Sequence, residues 1–300
     1  MLHTTKVKSK SSSQFSSDIK TIKSLINENS LTFKQTKNFK KILEVYGSSP
    51  DNWGDLPNFK GDYINFGYWE DIKLNKTITL EERINSSINL YREIIKYFNI
   101  TNNTSVVEIG CGRGAGIIDV LSKMQIGQII GIDINPAQIV RAKKNIRDKL
   151  EHSNNITLRN VSANNTTLAD HSVDKVYSIE VAQHFSSMIH FTLEMKRILK
   201  PGGELTFATY FLTNKKYLDK LKMLLPLIDE SLENTFSVNE VRKHLYEAGF
   251  NNVSYRSIGE HTFAGYETWI TQAKTHTPFS HNYYKAFQAG YVDYYVINAC

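Results

Sequence analysis

The sequence predicts an α/β fold in which a mostly parallel β-sheet carries helices on both faces. From residue 105 onward, short apolar runs alternate with amphipathic helical segments, which is the order that a parallel sheet with crossover helices requires. The connections between these runs are long enough to hold the helices. The first run leads into a glycine-rich turn at residues 110–116, where the strand-to-helix turn of such a fold approaches its ligand.

The N-terminal part of the chain is predicted to stand apart from this sheet. Residues 1–13 are expected to be a disordered basic tail, because lysine and serine predominate there and the apolar stretch of a secretory signal is lacking. Residues 14–46 show an apolar stripe of helical period, and a segment rich in Gly, Pro, Asn and aromatic residues follows. We therefore expect a helical and aromatic cap over residues 14–78.

The elements of the α/β part follow in order. Thr79 and Glu82 have the spacing of a capping box, so a helix is expected to begin there. Asn135, followed by Pro136, is expected to cap a further helix. The predicted strands cover residues 105–109, 128–132, 175–179 and 204–208, and the predicted helices between them cover residues 115–124, 137–150 and 188–199.

The C-terminal part departs from this simple alternation. Ser237 and Glu240 form a second capping-box pair, and Gly249 suits the position just after the end of that helix. Residues 252–258 and 292–298 are predicted to be strands that form a closing antiparallel pair around an intervening helix.

Composition excludes several classes of protein. The chain has 300 residues, of which 41% are hydrophobic and 22% are charged, and these are globular values. Cys111 and Cys300 are the two cysteines, too few for a disulfide framework or a zinc ribbon. No apolar run reaches the ~18 residues of a membrane span, and no metal-ligand spacing is legible. We expect an intracellular, cytoplasmic protein with a mild net charge of +6.

The glycine-rich turn and its surroundings indicate a nucleotide-type ligand. Gly110, Gly112 and Ala115 match the dinucleotide fingerprint, and Asp133 follows at the usual interval. Glu108 distinguishes between ligands, because its carboxylate would repel a pyrophosphate and attract an ammonium or a sulfonium. The turn therefore fits S-adenosylmethionine better than NAD, with Asp133 placed to accept hydrogen bonds from ribose hydroxyls.

Three segments resemble the class I S-adenosylmethionine-dependent methyltransferases. They are Glu108-x-Gly110-x-Gly112, which is similar to the glycine loop of the family, residues 131–134, which are similar to its second strand, and residues 199–205, which are similar to the turn that enters its fifth strand. The resemblance runs from about residue 63 to residue 203 and continues more loosely to the C-terminus. It implies a three-layer, Rossmann-like methyltransferase fold over residues 79–300, with a seven-stranded sheet whose last strand is antiparallel.

The resemblance also implies which residues contact the methyl donor. Asp133 would hold the ribose, and Ile134 would cover the adenine. The family commonly has an acidic residue that meets the adenine amine; Ser162, followed by Ala163, stands there in this chain, and Cys111 is expected to pack under the loop as a small residue. The predicted donor-binding residues are Tyr63, Phe66, Glu108, Gly110, Cys111, Gly112, Asp133, Ile134, Gln138, Ser162, Ala163 and Glu180.

Two further segments resemble the branch of the family that acts on small molecules. Residues 64–69 are similar to the aromatic segment of enzymes for natural-product sugars, quinone-type rings, sterols and amine head groups. Residues 180–185 include a His where related sugar and polyketide O-methyltransferases often carry one, and they lack the Asn/Asp-Pro-Pro-aromatic motif of nucleic-acid base methyltransferases. Nucleic acid is therefore not an expected partner. The predicted acceptor-contacting residues are Tyr68, Trp69 and Gln183.

His184 is the predicted catalytic residue. An imidazole of pKa ~6.5 suits removal of a proton from a hydroxyl acceptor near neutral pH. The alternative is a histidine that hydrogen-bonds the backbone and shapes the pocket wall. Two interpretations are also open for Tyr63, Tyr68 and Trp69, which either pack as core or cover the methyl donor as a lid.

The sequence thus predicts transfer of a sulfonium methyl group to an O, N or C atom of a small-molecule acceptor. The N-terminal cap and an insert near residues 211–236, between the fifth and sixth strands, are expected to build the acceptor pocket. A methyltransferase acting on protein or RNA, with the basic tail as a docking arm, and a non-catalytic module that binds S-adenosylmethionine are the alternatives. The acceptor and the oligomeric state, including a homodimer, are open.

Overall fold

The computed structural model describes residues 53–151, 154–229, 233, 236–274 and 280–300. The predicted basic tail at residues 1–13 and the predicted helical region at residues 14–46 lie outside these ranges.

One seven-stranded sheet organises the described residues, with the strand order β3-β2-β1-β4-β5-β7-β6. The strands are β1 Ser105–Ile109, β2 Gln128–Ile132, β3 Ile156–Arg159, β4 Val173–Ile179, β5 Leu199–Leu212, β6 Val253–Ser257 and β7 Val292–Ala299. Adjacent strands from β3 through β5 pair in parallel, and β7 is antiparallel to both of its neighbours, β5 and β6. The predicted mostly parallel sheet with an antiparallel last strand is confirmed.

Helices cover both faces of this sheet, as predicted. Within the described ranges they are α1 Leu80–Ile95, α2 Ala115–Lys123, α3 Pro136–Lys149, α4 Met188–Ile198, α5 Leu218–Leu224, α6 Pro226–Asp229, α7 Val238–Glu247, α8 Phe263–Gln272 and α9 Asn282–Gln288. None of these helices is long and apolar enough to cross a membrane.

Two hydrophobic cores lie on opposite faces of the sheet, because successive residues of a strand point to opposite sides. In β1, Val106 packs into the core that includes α1, α2, α3, α8 and α9, whereas Val107 packs into the core that includes α4 and α7. Both valines are fully buried. The strands are thus covered on both faces, which is the usual state of a parallel sheet.

Local signals set the helix ends correctly. Thr79 with Glu82, and Ser237 with Glu240, form complete capping boxes at the starts of α1 and α7. The Asn135 side chain accepts a hydrogen bond from the Ala137 N–H at the start of α3. Gly249 follows α7 with a φ of +93°, a conformation that favours glycine.

Several elements differ from the prediction, which gave no range for β3, α5 or α6. Strand β5 is longer at both ends, because Leu199 pairs with Val173 before an irregularity in the ladder, and because β7 pairs with β5 as far as Leu212. Between β6 and β7 the described residues contain two helices, α8 and α9, where one was predicted.

Candidate functional site

The loops at the carboxyl ends of the parallel strands bring most of the predicted site residues to one edge of the sheet. This edge is where open α/β sheets bind their ligands. Glu108 lies near the end of β1, Asp133 follows β2, Ser162 follows β3, and the segment from Glu180 to His184 follows β4. The sequence-predicted residues therefore converge although they are far apart along the chain.

Gly110 and Gly112, two of the glycines in the loop after β1, have different surroundings. Gly110 has a φ of +75°, and a Cβ there would lie 2.1 Å from Cγ2 of Val181, so the close approach of the segment after β4 requires glycine. Gly112 has a φ of +50°, and a Cβ there would meet nothing within 4 Å. The backbone at Gly112 thus faces open space that a ligand can occupy.

Glu108 is buried beneath this loop between two tyrosines. The Tyr91 hydroxyl donates to Oε1 and the Tyr177 hydroxyl donates to Oε2, both at 3.0 Å. Burial raises the pKa of Glu108 to about 8, although both hydrogen bonds favour the ionised form. Glycine at position 116 makes room for Tyr91, because a Cβ there would lie 2.0 Å from its ring. A cation bound above the loop would favour the ionised carboxylate.

Asp133 connects the glycine loop to the loop after β2. Its Oδ2 accepts from the Gly112 N–H at 2.9 Å, and its Oδ1 accepts from the Asn135 N–H at 2.8 Å. Burial raises the pKa of Asp133 to about 6. Each carboxylate oxygen keeps a second lone pair, so the side chain can also accept hydrogen bonds from a diol beside Gly112. The Asn160 side chain donates to the Asp133 carbonyl oxygen at 2.9 Å, a contact that the sequence did not indicate.

Glu180 fixes the aromatic segment against the end of β4. Its Oε1 accepts from the Phe66 N–H at 2.6 Å and from the Tyr294 hydroxyl at 3.0 Å. Glu180 itself has a φ of +52°, in the left-handed region that few residues other than glycine adopt. Burial raises the pKa of Glu180 to about 8. Strained backbone conformations of this kind cluster at functional sites.

Arg83 of α1 holds the same aromatic segment from the other side and was missed by sequence reasoning. It is fully buried and donates to the carbonyl oxygens of Asn58 and Asn65, at 3.1 and 2.6 Å. Its guanidinium also lies 5.6 Å from the ring centroid of Trp69. Burial lowers the pKa of Arg83 to about 10, which leaves it charged at neutral pH.

The aromatic residues Tyr63, Tyr68 and Trp69 of the predicted cap are all buried in the protein. The Tyr63 ring lies edge-on to Tyr91, and its hydroxyl donates to the Ala115 carbonyl oxygen. The Tyr68 hydroxyl donates to Glu70, at 2.5 Å. Trp69 is 2% exposed and donates from Nε1 to the Phe66 carbonyl oxygen at 2.8 Å. Their roles in binding donor or acceptor stay predictions.

The segment after β4 carries Gln183 and His184 on a short 3-10 helix, Ala182–His184. Gln183 is buried; its Nε2 donates to the Glu180 carbonyl oxygen, and its Oε1 accepts from the Thr209 hydroxyl at 2.7 Å. His184 is half-buried, and its Nε2 lies 3.5 Å from Nε2 of Gln183. These hydrogen bonds hold Gln183 in place. The imidazole of His184 lies at the edge of the sheet where the loops meet.

The remaining predicted donor residues lie on the segments that follow β1, β2 and β3. Cys111 is buried, and a Cβ on Gly131 would lie 3.0 Å from its Sγ, so it packs under the loop as a small residue. Gln138 is buried in the first turns of α3, and Ile134 is half-buried. The Ser162 hydroxyl oxygen accepts from the Asn164 N–H at 3.2 Å, and Ala163 beside it is half-buried. Within the described ranges no group of His, Cys, Asp or Glu has metal-binding geometry.

Comparisons with known proteins found similar sequences and a similar fold. A family model described as a methyltransferase domain matches residues 107–207. The chain is 24% identical over 218 residues to 27-O-demethylrifamycin SV methyltransferase of Amycolatopsis mediterranei, covering 72% of this chain and 77% of that one. It is 26% identical to erythromycin 3''-O-methyltransferase of Saccharopolyspora erythraea, covering 70% and 68%.

Among solved structures, geranyl diphosphate C-methyltransferase from Streptomyces coelicolor, in complex with Mg²⁺, geranyl diphosphate and S-adenosyl-L-homocysteine, has a similar fold. The TM-score is 0.74 at 15% sequence identity, and the match covers 89% of this chain and 98% of that chain.

Proposed function

We propose that the chain is a class I S-adenosylmethionine-dependent methyltransferase whose acceptor is a small molecule bound beyond the carboxyl ends of β4 and β5. The names of the two similar enzymes from Amycolatopsis and Saccharopolyspora contain a rifamycin and erythromycin, both of which are small molecules. The acceptor of this chain is proposed to belong to the same broad class, with methylation at O, N or C.

The observation that carries the proposal is the open backbone surface at Gly112 between two carboxyl groups. Asp133 borders this surface and Glu108 lies beneath it. This arrangement fits a ligand that has a ribose diol and a positive charge, which the methyl donor combines. We propose that Asp133 accepts from the ribose hydroxyls, that Glu108 stabilises the positive charge from below, and that Ile134, Ser162 and Ala163 border the adenine.

When bound, the donor supplies a methyl group that is already activated on a sulfonium, so the protein has to orient the reactants and exclude water. Glu180 and Arg83 are proposed to hold the aromatic segment around Phe66 in place for this purpose. Gln183, fixed by Thr209 and by the Glu180 carbonyl, presents a rigid wall beside the end of β4.

His184 is proposed to accept the proton of a hydroxyl acceptor as the methyl group arrives. Its half-buried position at the carboxyl edge supports this role, since the imidazole is accessible there. The proton would be held on a ring nitrogen and then pass to solvent.

Partners and compartment are further parts of the proposal. Nucleic acid is not proposed as an acceptor, since residues 180–185 lack the Pro-Pro-aromatic motif of base methyltransferases. The cytoplasm is the proposed compartment, in keeping with two free cysteines, Cys111 and Cys300.

An acceptor screen with detection of S-adenosylhomocysteine tests this function. Hydroxylated macrolides, quinols and small amines are each incubated with the protein and S-adenosylmethionine. We expect at least one class to raise S-adenosylhomocysteine formation above the rate without acceptor, and Asp133→Asn to lower that rate. Turnover on tRNA or protein, with none on small molecules, would contradict the proposed acceptor class.

A further inference from the structure

Another buried carboxyl group, Glu233, lies beyond the end of β5 on the segment before β6. Glu233 is 5% exposed, and its backbone N–H donates to the Leu227 carbonyl oxygen at 3.2 Å. The Tyr283 hydroxyl of α9 donates to Oε1 of Glu233 at 2.8 Å. The Tyr210 hydroxyl of β5 faces the same carboxyl group. Three elements thus converge on one acid.

Aromatic rings pack together beside this carboxyl group. Phe66 lies nearly parallel to Tyr210, with ring centroids 6.1 Å apart, and its ring also meets the edge of Tyr283 at 5.1 Å. Tyr210 and Tyr283 contact each other at 5.2 Å. Phe66 in turn stacks on Tyr266 at 4.2 Å. Aromatic faces beside a carboxylate are the surroundings in which proteins recognise organic cations.

The polar atoms of this cluster are not fully paired. Among the described residues, Glu233 Oε2 and Tyr210 Oη complete no hydrogen bond of standard length and angle, although Tyr210 is close enough to favour the ionised acid. Buried polar groups are normally paired, and each unpaired group destabilises the fold. Because a carboxylate oxygen only accepts hydrogen bonds, the group that would complete the pairing is a donor.

Electrostatics favours a donor that also carries a positive charge. Glu180, which binds the backbone of Phe66, is close enough to Glu233 for the charge of one carboxylate to disfavour ionisation of the other. Arg83 is the positive group that lowers the pKa of Glu180. Burial raises the pKa of Glu233 to about 7. An added cation between the two acids would relieve this repulsion.

Building on the function proposed above, we propose that the acceptor carries a protonated amine, which Glu233 recognises among the faces of Phe66, Tyr210 and Tyr283. Glu233 is then a specificity-determining residue of the acceptor pocket and takes no part in methyl-donor binding. The methylated atom lies elsewhere on the acceptor or is another amine that is neutral when it reacts, because a protonated nitrogen has no lone pair for the methyl group.

Benzylamine and benzyl alcohol are the probes that test this assignment. They have similar size, and at neutral pH the first is a cation and the second is neutral. Both are titrated calorimetrically into the full chain saturated with S-adenosylhomocysteine. We expect benzylamine to bind at least about tenfold more tightly, which is the difference between charged and neutral hydrogen bonds. In Glu233→Gln this advantage should disappear, and in Glu260→Gln, an exposed acid on the surface, it should persist.

Three results would overturn the proposal. They are equal affinity of both probes for the parent, an unchanged advantage in Glu233→Gln, and a Glu233→Gln variant that loses affinity for S-adenosylmethionine but keeps affinity for S-adenosylhomocysteine. The third result would assign the recognised charge to the sulfonium of the donor. Binding of the methyl donor by the parent is a separate test of the proposed function. Failure of the Glu233 proposal can therefore be distinguished from failure of the proposed function. If Glu233→Gln does not fold, Tyr210→Phe is used, and a severalfold loss of benzylamine affinity alone is expected.

Discussion

Glu108 links stability to pH, because its acid form is favoured in the folded protein. Burial raises its pKa to about 8, whereas the unfolded chain ionises near the ordinary value. As the pH rises from about 4.5 to about 8, the unfolded state loses the proton first, so the carboxyl group progressively destabilises the unliganded fold. The substitution Glu108→Gln removes this pH-dependent loss of stability. We expect the variant to gain stability relative to the parent, on the order of a few kcal/mol at about pH 8 and close to none at about pH 5.

Melting temperatures of parent and variant at these two pH values measure the difference, since all other titrating groups are shared. The same variant should bind S-adenosylmethionine more weakly, because the negative charge beneath Gly112 is lost. A Glu108→Gln variant that is equally destabilised at both pH values would contradict the assignment of this pKa.

His184→Ala tests the proposed base. A positioned base contributes about 10²–10⁴-fold to turnover, so with a hydroxyl acceptor we expect a loss of about 10²-fold or more at nearly unchanged donor affinity. Turnover of the parent should rise with pH through the imidazole pKa, and the variant should lose this rise. His190→Ala, an exposed histidine on α4, is the matched control. Near-parental turnover of His184→Ala would make His184 a wall of the pocket.

At the scale of single residues, a functional side chain can be found from the sequence when its chemistry is unusual for its position. Glu108 beside a glycine turn is such a group. Its partners Tyr91 and Tyr177 are 17 and 69 residues away, and nothing local marks them. Arg83 could not be distinguished from Arg92 on the same helix, although the first is fully buried and the second is exposed. Which polar residue a helix buries depends on its tertiary neighbours.

The glycine loop is an element that can be tested with an internal control. Gly112 and Gly202 both have positive φ, +50° and +75°, and a Cβ at either position meets nothing within 4 Å. Alanine at either position should destabilise the fold by roughly 1–2 kcal/mol through backbone strain. Gly202 lies at the amino end of β5, away from the site. We expect only Gly112→Ala to weaken binding of S-adenosylmethionine, measured by calorimetry, because its methyl group enters the open space above the loop. Equal donor affinity in both variants would place the ligand elsewhere.

Elements were predictable where their ends depend on local chemistry. Both capping boxes and the Asn135 cap are set within three residues, and the structure confirms them. The ends of β5 were not predictable, because its last residues, as far as Leu212, are ordered by pairing with a strand some eighty residues later. Tertiary pairing extended this strand beyond its local signal.

At the scale of the whole molecule, the order of the strands in the sheet determines which loops meet at the site. Because β1 lies between β2 and β4 and pairs in parallel with both, the loops that follow these three strands meet at one edge. This convergence was predictable from the alternation of strands and helices. The proposed acceptor side was not predictable, since Phe66, Tyr210, Glu233 and Tyr283 come from four separate segments and meet only in the folded chain. Acceptor pockets built in this way leave no motif in the sequence.

Calorimetric titration with S-adenosylmethionine, S-adenosylhomocysteine and NAD tests the central claim most directly, because methyl transfer requires the donor site first. We expect both sulfur-containing ligands to bind the parent and NAD to give no heat of binding. Asp133→Asn should lower the affinity for both of these ligands by about tenfold or more, the usual effect of losing a charged hydrogen bond. Asp170 is an exposed residue remote from the loop, and the control variant Asp170→Asn should bind both ligands as the parent does. Binding of NAD by a parent protein that does not bind S-adenosylmethionine would contradict the account.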